Sequence, residues 1–192
     1  MRDTYPRKKI IVAITGATGA QIGIHILQTL RRLNVETHLI ISKWAAETIK
    51  YETDYNPSAV KALADHAYSA HDLAAPIASG SYRVDGMIVA PCSVKTLAAI
   101  NAGICDDLIT RAADVCLKER KRLVLSVRET PFNEGSDSVT TASDDHSNGN
   151  NDDNGDHHDN HNNDNDDNDG DDRSDDDYSN NSKAPGKLVD LA

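Results

Sequence analysis

No apolar run in this sequence approaches the ~18 residues needed to cross a bilayer. The opening stretch, MRDTYPRKK, carries charge but lacks the apolar segment of a secretory signal, and no longer Ser/Arg-rich amphipathic presequence is visible. Cysteine is scarce. Cys92, Cys105 and Cys116 form no CxxC pair and no even framework, so a reduced intracellular compartment is expected. Large apolar residues are nearly missing from Glu134 to Ser182, where only Val139 and Tyr178 occur, too few to offset chain entropy. Basic charge is missing there too: 17 Asp+Glu face Arg173 alone, whereas residues 1–133 hold 17 Lys+Arg against 13 Asp+Glu. The net charge of −11 therefore belongs to the acidic stretch, and the part able to fold is mildly basic.

Three segments are expected: a domain over 1–133, an acidic Asp/Asn-rich tail without stable structure over 134–182, and a short segment over 183–192, too small to be assigned an element. In the first, β-branched apolar runs predict buried strands at 9–15, 35–41, 86–90 and 123–127. Helices are predicted at 20–33, with Ile22, Ile26, Leu30 and Leu33 as its apolar stripe, and at 43–51, 57–64, 94–102 and 106–120. Residues 68–82 read as turns, and Pro91-Cys92-Ser93 as the break that ends the third strand. Alternating strands and helices at this spacing define an α/β domain with a parallel sheet.

Ligands in such sheets sit beyond the carboxyl ends of the strands. Three loops there carry chemistry: Thr15–Ala20, Pro91–Thr96 and Arg128–Pro131, with Ser42 ending the remaining strand. The glycines of the first loop, Gly16, Gly19 and Gly23, follow neither GxGxxG nor GxxGxxG. Ser42-Lys43 stands where an adenosine-ribose acid is expected, so a dinucleotide site is disfavoured. In the second loop, Ser93, Lys95 and Thr96 suit an anionic or polar ligand at a helix start, although Ser93 alone reads equally as an ordinary N-cap. Cys92 has no histidine nearby in sequence and reads as structural more readily than as a nucleophile. In the third loop Arg128 offers a permanent cation and Glu129 a proton carrier. Arg111 and Lys118 add charge nearby in sequence, while Arg120, Lys121 and Arg122 read mostly as a solvated face. His25, His38, His66 and His71 are scattered and define no site. The Asn165–Gly170 run partly mimics a calcium loop, a match expected by chance in an Asp/Asn/Gly tract.

Together the stretches ITGATGAQIG, HLIISKWA, IKYETDY, IASGSYRVDGMIVAPCSVKTLAAI, DDLITRAADVCLKER and LVLSVRETP resemble the flavin prenyltransferase family, the UbiX-like or phenylacrylic acid decarboxylase-like proteins, over roughly residues 8–133. The resemblance implies a Rossmann-like (flavodoxin-like) parallel sheet with helices on both faces, and an enzyme joining a prenyl group from dimethylallyl monophosphate to reduced FMN without a metal. The product, prenylated FMN, would serve a UbiD/ferulate-decarboxylase-type partner. The runner-up readings are a flavin-dependent decarboxylase and a noncatalytic FMN-binding subunit. By the same resemblance Gly16, Ala17, Thr18, Ser42, Ser93, Val94, Lys95, Thr96 and Arg128 would line FMN. Arg111 and Lys118 would hold the prenyl phosphate, Glu129 would handle protons, and Glu52 would reach a neighbouring subunit's site. A homo-oligomer, a dodecamer in the family, is implied, with no nucleic acid or membrane partner. The family's eukaryotic members point to mitochondria, with the cytoplasm as the alternative. After RETP the family continues with a helix, a strand ending in a PPxPAFY-like loop and a C-terminal helix. These have no counterpart after Asn133, so the sheet is expected to be incomplete at that end.

Overall fold

The structure, a computed structural model, describes residues 6–128 and the backbone of 187–191. Five strands run parallel: β1 (Lys9–Ile14), β2 (Glu36–Ile41), β3 (His66–Ser69), β4 (Gly86–Cys92) and β5 (Arg122–Val127), with β6 (Lys187–Leu191) antiparallel on the flank of β5. Their order is β3-β2-β1-β4-β5-β6. The connections reverse direction between β1 and β4, which makes the crevice above that pair the place where this architecture accepts ligands.

The two faces of the sheet are covered separately. Val12, Ile14, Leu39 and Ile41 pack with α1 (Ala20–Arg32), α2 (Lys43–Glu52) and α3 (Pro57–Lys61). Ile11, Ala13, Ile40, Met87 and Val89 pack with α4 (Val94–Asn101) and α5 (Leu108–Lys118). That alternation within each strand is why β1 and β4 read as unbroken apolar runs: both faces are buried. Each of the large side chains removed from water contributes roughly 1.5–3 kcal/mol.

Four details differ from the sequence reading. His66–Ser69 is a strand, its second half lying in the 68–82 stretch read as turns; at four residues beside β2, with a mixed burial pattern, it carries too little periodicity to be read. Strand β4 continues through Pro91 to Cys92, with its pairing to β5 shifting register between Val89 and Cys92. The flank of β5 is paired by β6, which the sequence left unassigned. Finally, the buried face of α1 is Ala20, Gly23, Ile24 and Leu27, whereas Ile22 and Leu33 are 37% and 67% exposed. Close approach decides this: a Cβ on Gly23 would run into the Ala90 carbonyl and the Ile14 side chain, so the small face of α1 is the one that meets the sheet. The Ile22–Ile26–Leu30 stripe lines a shallow groove on the outer side of the helix instead.

Candidate functional site

The loops after β1 and β4 are stitched together by one buried hydroxyl, and the β5 loop is tied to them through the backbone. Thr15 donates from Oγ1 to the Pro91 carbonyl at 2.8 Å and accepts the Ser93 N–H at 2.8 Å, while its own N–H reaches the Pro91 carbonyl at 3.2 Å. The Arg128 N–H donates to the Cys92 carbonyl at 3.2 Å, fixing where the β5 loop leaves the sheet. Ser42 is tied in by its N–H to the Ile14 carbonyl at 3.0 Å. Sequence reasoning placed the loops together but missed Thr15 as the residue that joins them. A threonine closing an apolar strand was the available signal.

Gly19 takes a left-handed conformation (φ 103°) at the start of α1, which favours glycine and leaves that helix without a side-chain cap of its own. The cap comes from Glu52, whose Oε2 accepts the Gly19 and Ala20 N–H groups at 2.8 and 2.9 Å. Helix α2 makes this feasible by lying over the carboxyl end of the sheet: Trp44 in its first turn is against Gly16, and Glu52 in its last reaches Gly19. Within one chain Glu52 serves the first loop. Its carboxylate occupies the positive end of α1, the position an incoming anion would otherwise use.

The second and third helix starts are ordinary caps with spare valence. Ser42 Oγ accepts the Ala45 N–H at 3.0 Å, and Ser93 Oγ accepts the Thr96 N–H at 3.4 Å and lies 3.1 Å from Thr96 Oγ1. Gly16, Thr18 and Lys95 are exposed at the mouth of the site; Ala17 is buried beneath it, and Val94 is partly buried. Arg128 is the exception to this self-sufficiency. Its Nε is buried and has no hydrogen-bond partner among the described residues, and it lies 3.4 Å from where a Cβ on Gly19 would be. A buried guanidinium nitrogen left open is costly unless an acceptor joins it, and its place beside the first loop marks where that acceptor goes. Cys92 offers no nucleophile: it is fully buried and burial pushes its thiol up to about 12.

The remaining expected residues do not join this group within one chain. Arg111 donates to the Ala78 carbonyl at 3.1 Å and pairs with Asp114 at 2.9 Å. Lys118 is in the last turn of α5, just before β5 begins, and so belongs to the amino end of the sheet. Glu129, the 134–182 tail and the calcium-like run lie outside the described residues.

A parallel α/β sheet with hydroxyl-capped helix starts and an open arginine beside its first loop suits an anionic ligand. Residues 1–134 match the Flavoprotein family. The flavin prenyltransferase PAD1, mitochondrial, of Saccharomyces cerevisiae is 61% identical over 125 residues, which are 65% of this chain and 52% of the yeast protein. The crystal structure of AnUbiX (PadA1) in complex with FMN and dimethylallyl pyrophosphate is 64% identical with a TM-score of 0.71, over 71% of this chain and 73% of that one. A dodecameric FMN-dependent UbiX-like decarboxylase from Escherichia coli O157:H7 is 55% identical with a TM-score of 0.69, over 70% of this chain and 73% of that one. The chain belongs to the Flavoprotein family and, within it, to the UbiX-like flavin prenyltransferases. It spans about half the length of the yeast relative.

Proposed function

We propose that this chain binds FMN at the carboxyl ends of β1, β4 and β5 and carries the flavin half of a prenyl-transfer site, with dimethylallyl monophosphate as co-substrate. The observation that carries this reading is the open, buried Nε of Arg128 beside the Gly19 turn, in a fold whose 64%-identical relative is described with FMN and a dimethylallyl phosphate ester. FMN, when bound and reduced, would supply the nucleophilic ring nitrogen. This chain's residues would hold and orient it. Arg128 offers a charge-assisted donor, Ser42 retains a hydroxyl proton to donate, the paired Ser93 and Thr96 hydroxyls have one between them, and Gly16, Ala17, Thr18 and the Val94–Thr96 turn offer a close backbone surface.

Glu52 and Glu129 are the proposed proton carriers, Glu52 from its seat at the start of α1. Arg111 and Lys118 are proposed to meet the prenyl phosphate across a subunit contact, since within one chain they face elsewhere; the dodecameric relative supports assembly of that kind. Cations at the departing oxygens would stabilise the leaving phosphate without a metal. A UbiD-type decarboxylase is the proposed acceptor of the product, and the yeast relative's name supports a mitochondrial setting over a cytoplasmic one. The name of the E. coli relative keeps flavin-dependent decarboxylation as the second reading.

The test is formation of prenylated FMN from reduced FMN and dimethylallyl monophosphate, beside a chimera in which residues after 133 are replaced by those of a full-length relative. The chain by itself is expected to be very slow, because the resemblance places part of the phosphate site beyond Asn133. The chimera should be faster by ~100-fold or more, the scale on which misplaced reacting groups act. Equal turnover by both proteins would show that the segment is dispensable. Decarboxylation without prenyl transfer by the chimera would favour the second reading.

A further inference from the structure

The four histidines of the domain are far apart in sequence, but the register of the sheet brings two of them together. His38 on β2 is paired directly with His66 on the parallel strand β3, and Glu36, two residues before His38, points to the same face. Glu36 Oε1 is 3.2 Å from His38 Nε2 and 3.6 Å from His66 Nε2, and the three ligand-type atoms all lie within 4.8 Å of one another. Two imidazoles and a carboxylate converge at the amino end of the sheet, opposite the flavin loops. Nothing in the proposed prenyl-transfer chemistry uses them.

We propose that Glu36, His38 and His66 form a binding site for a divalent transition ion of the zinc class. The separations of 3.2 and 3.6 Å are those of neighbouring ligands about a tetrahedral ion with bonds near ~2.0–2.1 Å. Imidazole nitrogen with one carboxylate oxygen suits Zn²⁺, Co²⁺ and Ni²⁺ better than Mg²⁺ or Ca²⁺. The outer support is also present. Tyr68 Oη lies 3.1 Å from His38 Nδ1; a proton on Nδ1, donated to that oxygen, leaves the Nε2 lone pair facing Glu36. His38 is fully buried, which fixes its ring in place between Glu36 and Tyr68. Tyr82 Oη, 3.4 Å from His38 Nε2, or a water would complete the coordination.

Two features set the terms of binding. Lys9 Nζ is 3.4 Å from the same Glu36 oxygen, so its ammonium now serves as the cation there and must withdraw when an ion enters. The His38 and His66 rings are stacked at 4.8 Å, 15° from parallel, so His66 must turn to aim its lone pair at a shared ion. It is half-exposed and makes no hydrogen bond among the described residues, which leaves it free to do so. A bound ion would clamp the short strand β3 to β2.

The experiment is titration of the full chain with Co²⁺, read by its tetrahedral visible absorption, and with Zn²⁺ as displacer. One equivalent should produce the absorption and raise the melting temperature. His66→Ala, which leaves His146, His157, His158 and His161 of the tail intact, should weaken uptake at least tenfold and abolish that spectrum, and Glu36→Gln should do the same. Lys9→Met should tighten binding several-fold by removing the competing charge. An unchanged spectrum in His66→Ala would assign the ion to the tail and overturn the proposal, as would absence of tetrahedral absorption in the unmodified chain.

Discussion

At the amino end of the sheet the polar side chains satisfy one another, and at the carboxyl end they stop short of doing so. Asp65 accepts two bonds from Arg7, at 3.0 and 3.2 Å, and two from Thr37, at 2.9 and 3.0 Å. Lys9, Glu36, His38, His66, Tyr68 and Tyr82 form a continuous set of contacts beside them. Opposite them, Thr15 closes the loops onto each other, yet Arg128 Nε remains buried and open. Both ends are built from comparable residue types. What separates them is a buried, open donor held in a rigid frame: the carboxyl end presents Arg128 Nε to an anion as it stands, whereas the amino-end cluster pairs within itself and has to rearrange before it can take an ion.

The largest effect is expected in the frame that both ends share. Gly23→Ala should destabilise the domain by about 1–3 kcal/mol, because the added methyl meets the Ala90 carbonyl, a backbone atom that cannot rotate away. Denaturant unfolding would check it, and stability equal to the parent's would mean that α1 does not sit so close to β4. At the carboxyl end alone, Thr15→Val keeps the shape but strips the Ser93 N–H of its acceptor. A loss of roughly 1–2 kcal/mol is expected, with weaker FMN binding as the loops loosen. At the amino end, Arg7→Ala removes a partly exposed pair. It should cost no more than about 1 kcal/mol and leave FMN affinity unchanged, a contrast that calorimetric titration of both variants would reveal.

The smallest effect is in pH. Burial works to raise the Asp65 carboxyl, but the bonds from Arg7 and Thr37 outweigh it and hold the group at about 2, below its ordinary 3.8. A depressed carboxyl contributes stability that is complete above about pH 4 and lost as pH falls toward 2. Burial likewise holds His38 below its ordinary 6.5, so its contribution is present above that value and declines on acidification. The melting temperature should therefore fall in acid, and Asp65→Asn should flatten the step between pH 4 and 2.

How much of this was legible in the sequence follows from where each signal is stored. Strands β1 and β4 announce themselves because burial on both faces leaves nearly unbroken apolar runs, β2 and β5 through the shorter stretches Leu39–Ile41 and Leu123–Leu125, and the ends of those strands then locate Gly16, Ser42, Ser93 and Arg128. Strand β3 is legible only through its neighbour, since HAYS has no periodicity of its own. The choice between the two stripes of α1 depends on how closely the helix meets Ala90, a tertiary fact. The Glu52 cap, the Thr15 stitch and the His38–His66 pairing are long-range contacts, bridging residues tens of positions apart, which spacing along the chain cannot encode. The proposed roles of Arg111 and Lys118 rest on resemblance: within one chain Arg111 is held by the Ala78 carbonyl and Asp114, and Lys118 lies in the last turn of α5.

The open arginine beside the first loop is the anchor of the proposed flavin site. The most direct measurement is the dissociation constant of FMN, oxidised and reduced, for the full chain and for Arg128→Ala, with Arg7→Ala as the amino-end control. Removing a buried, charge-assisted donor should weaken binding by about 1.5–3 kcal/mol, roughly a tenfold to hundredfold change, while the control binds like the parent. FMN affinity unaffected by Arg128→Ala, or lost equally in Arg7→Ala, would contradict the account.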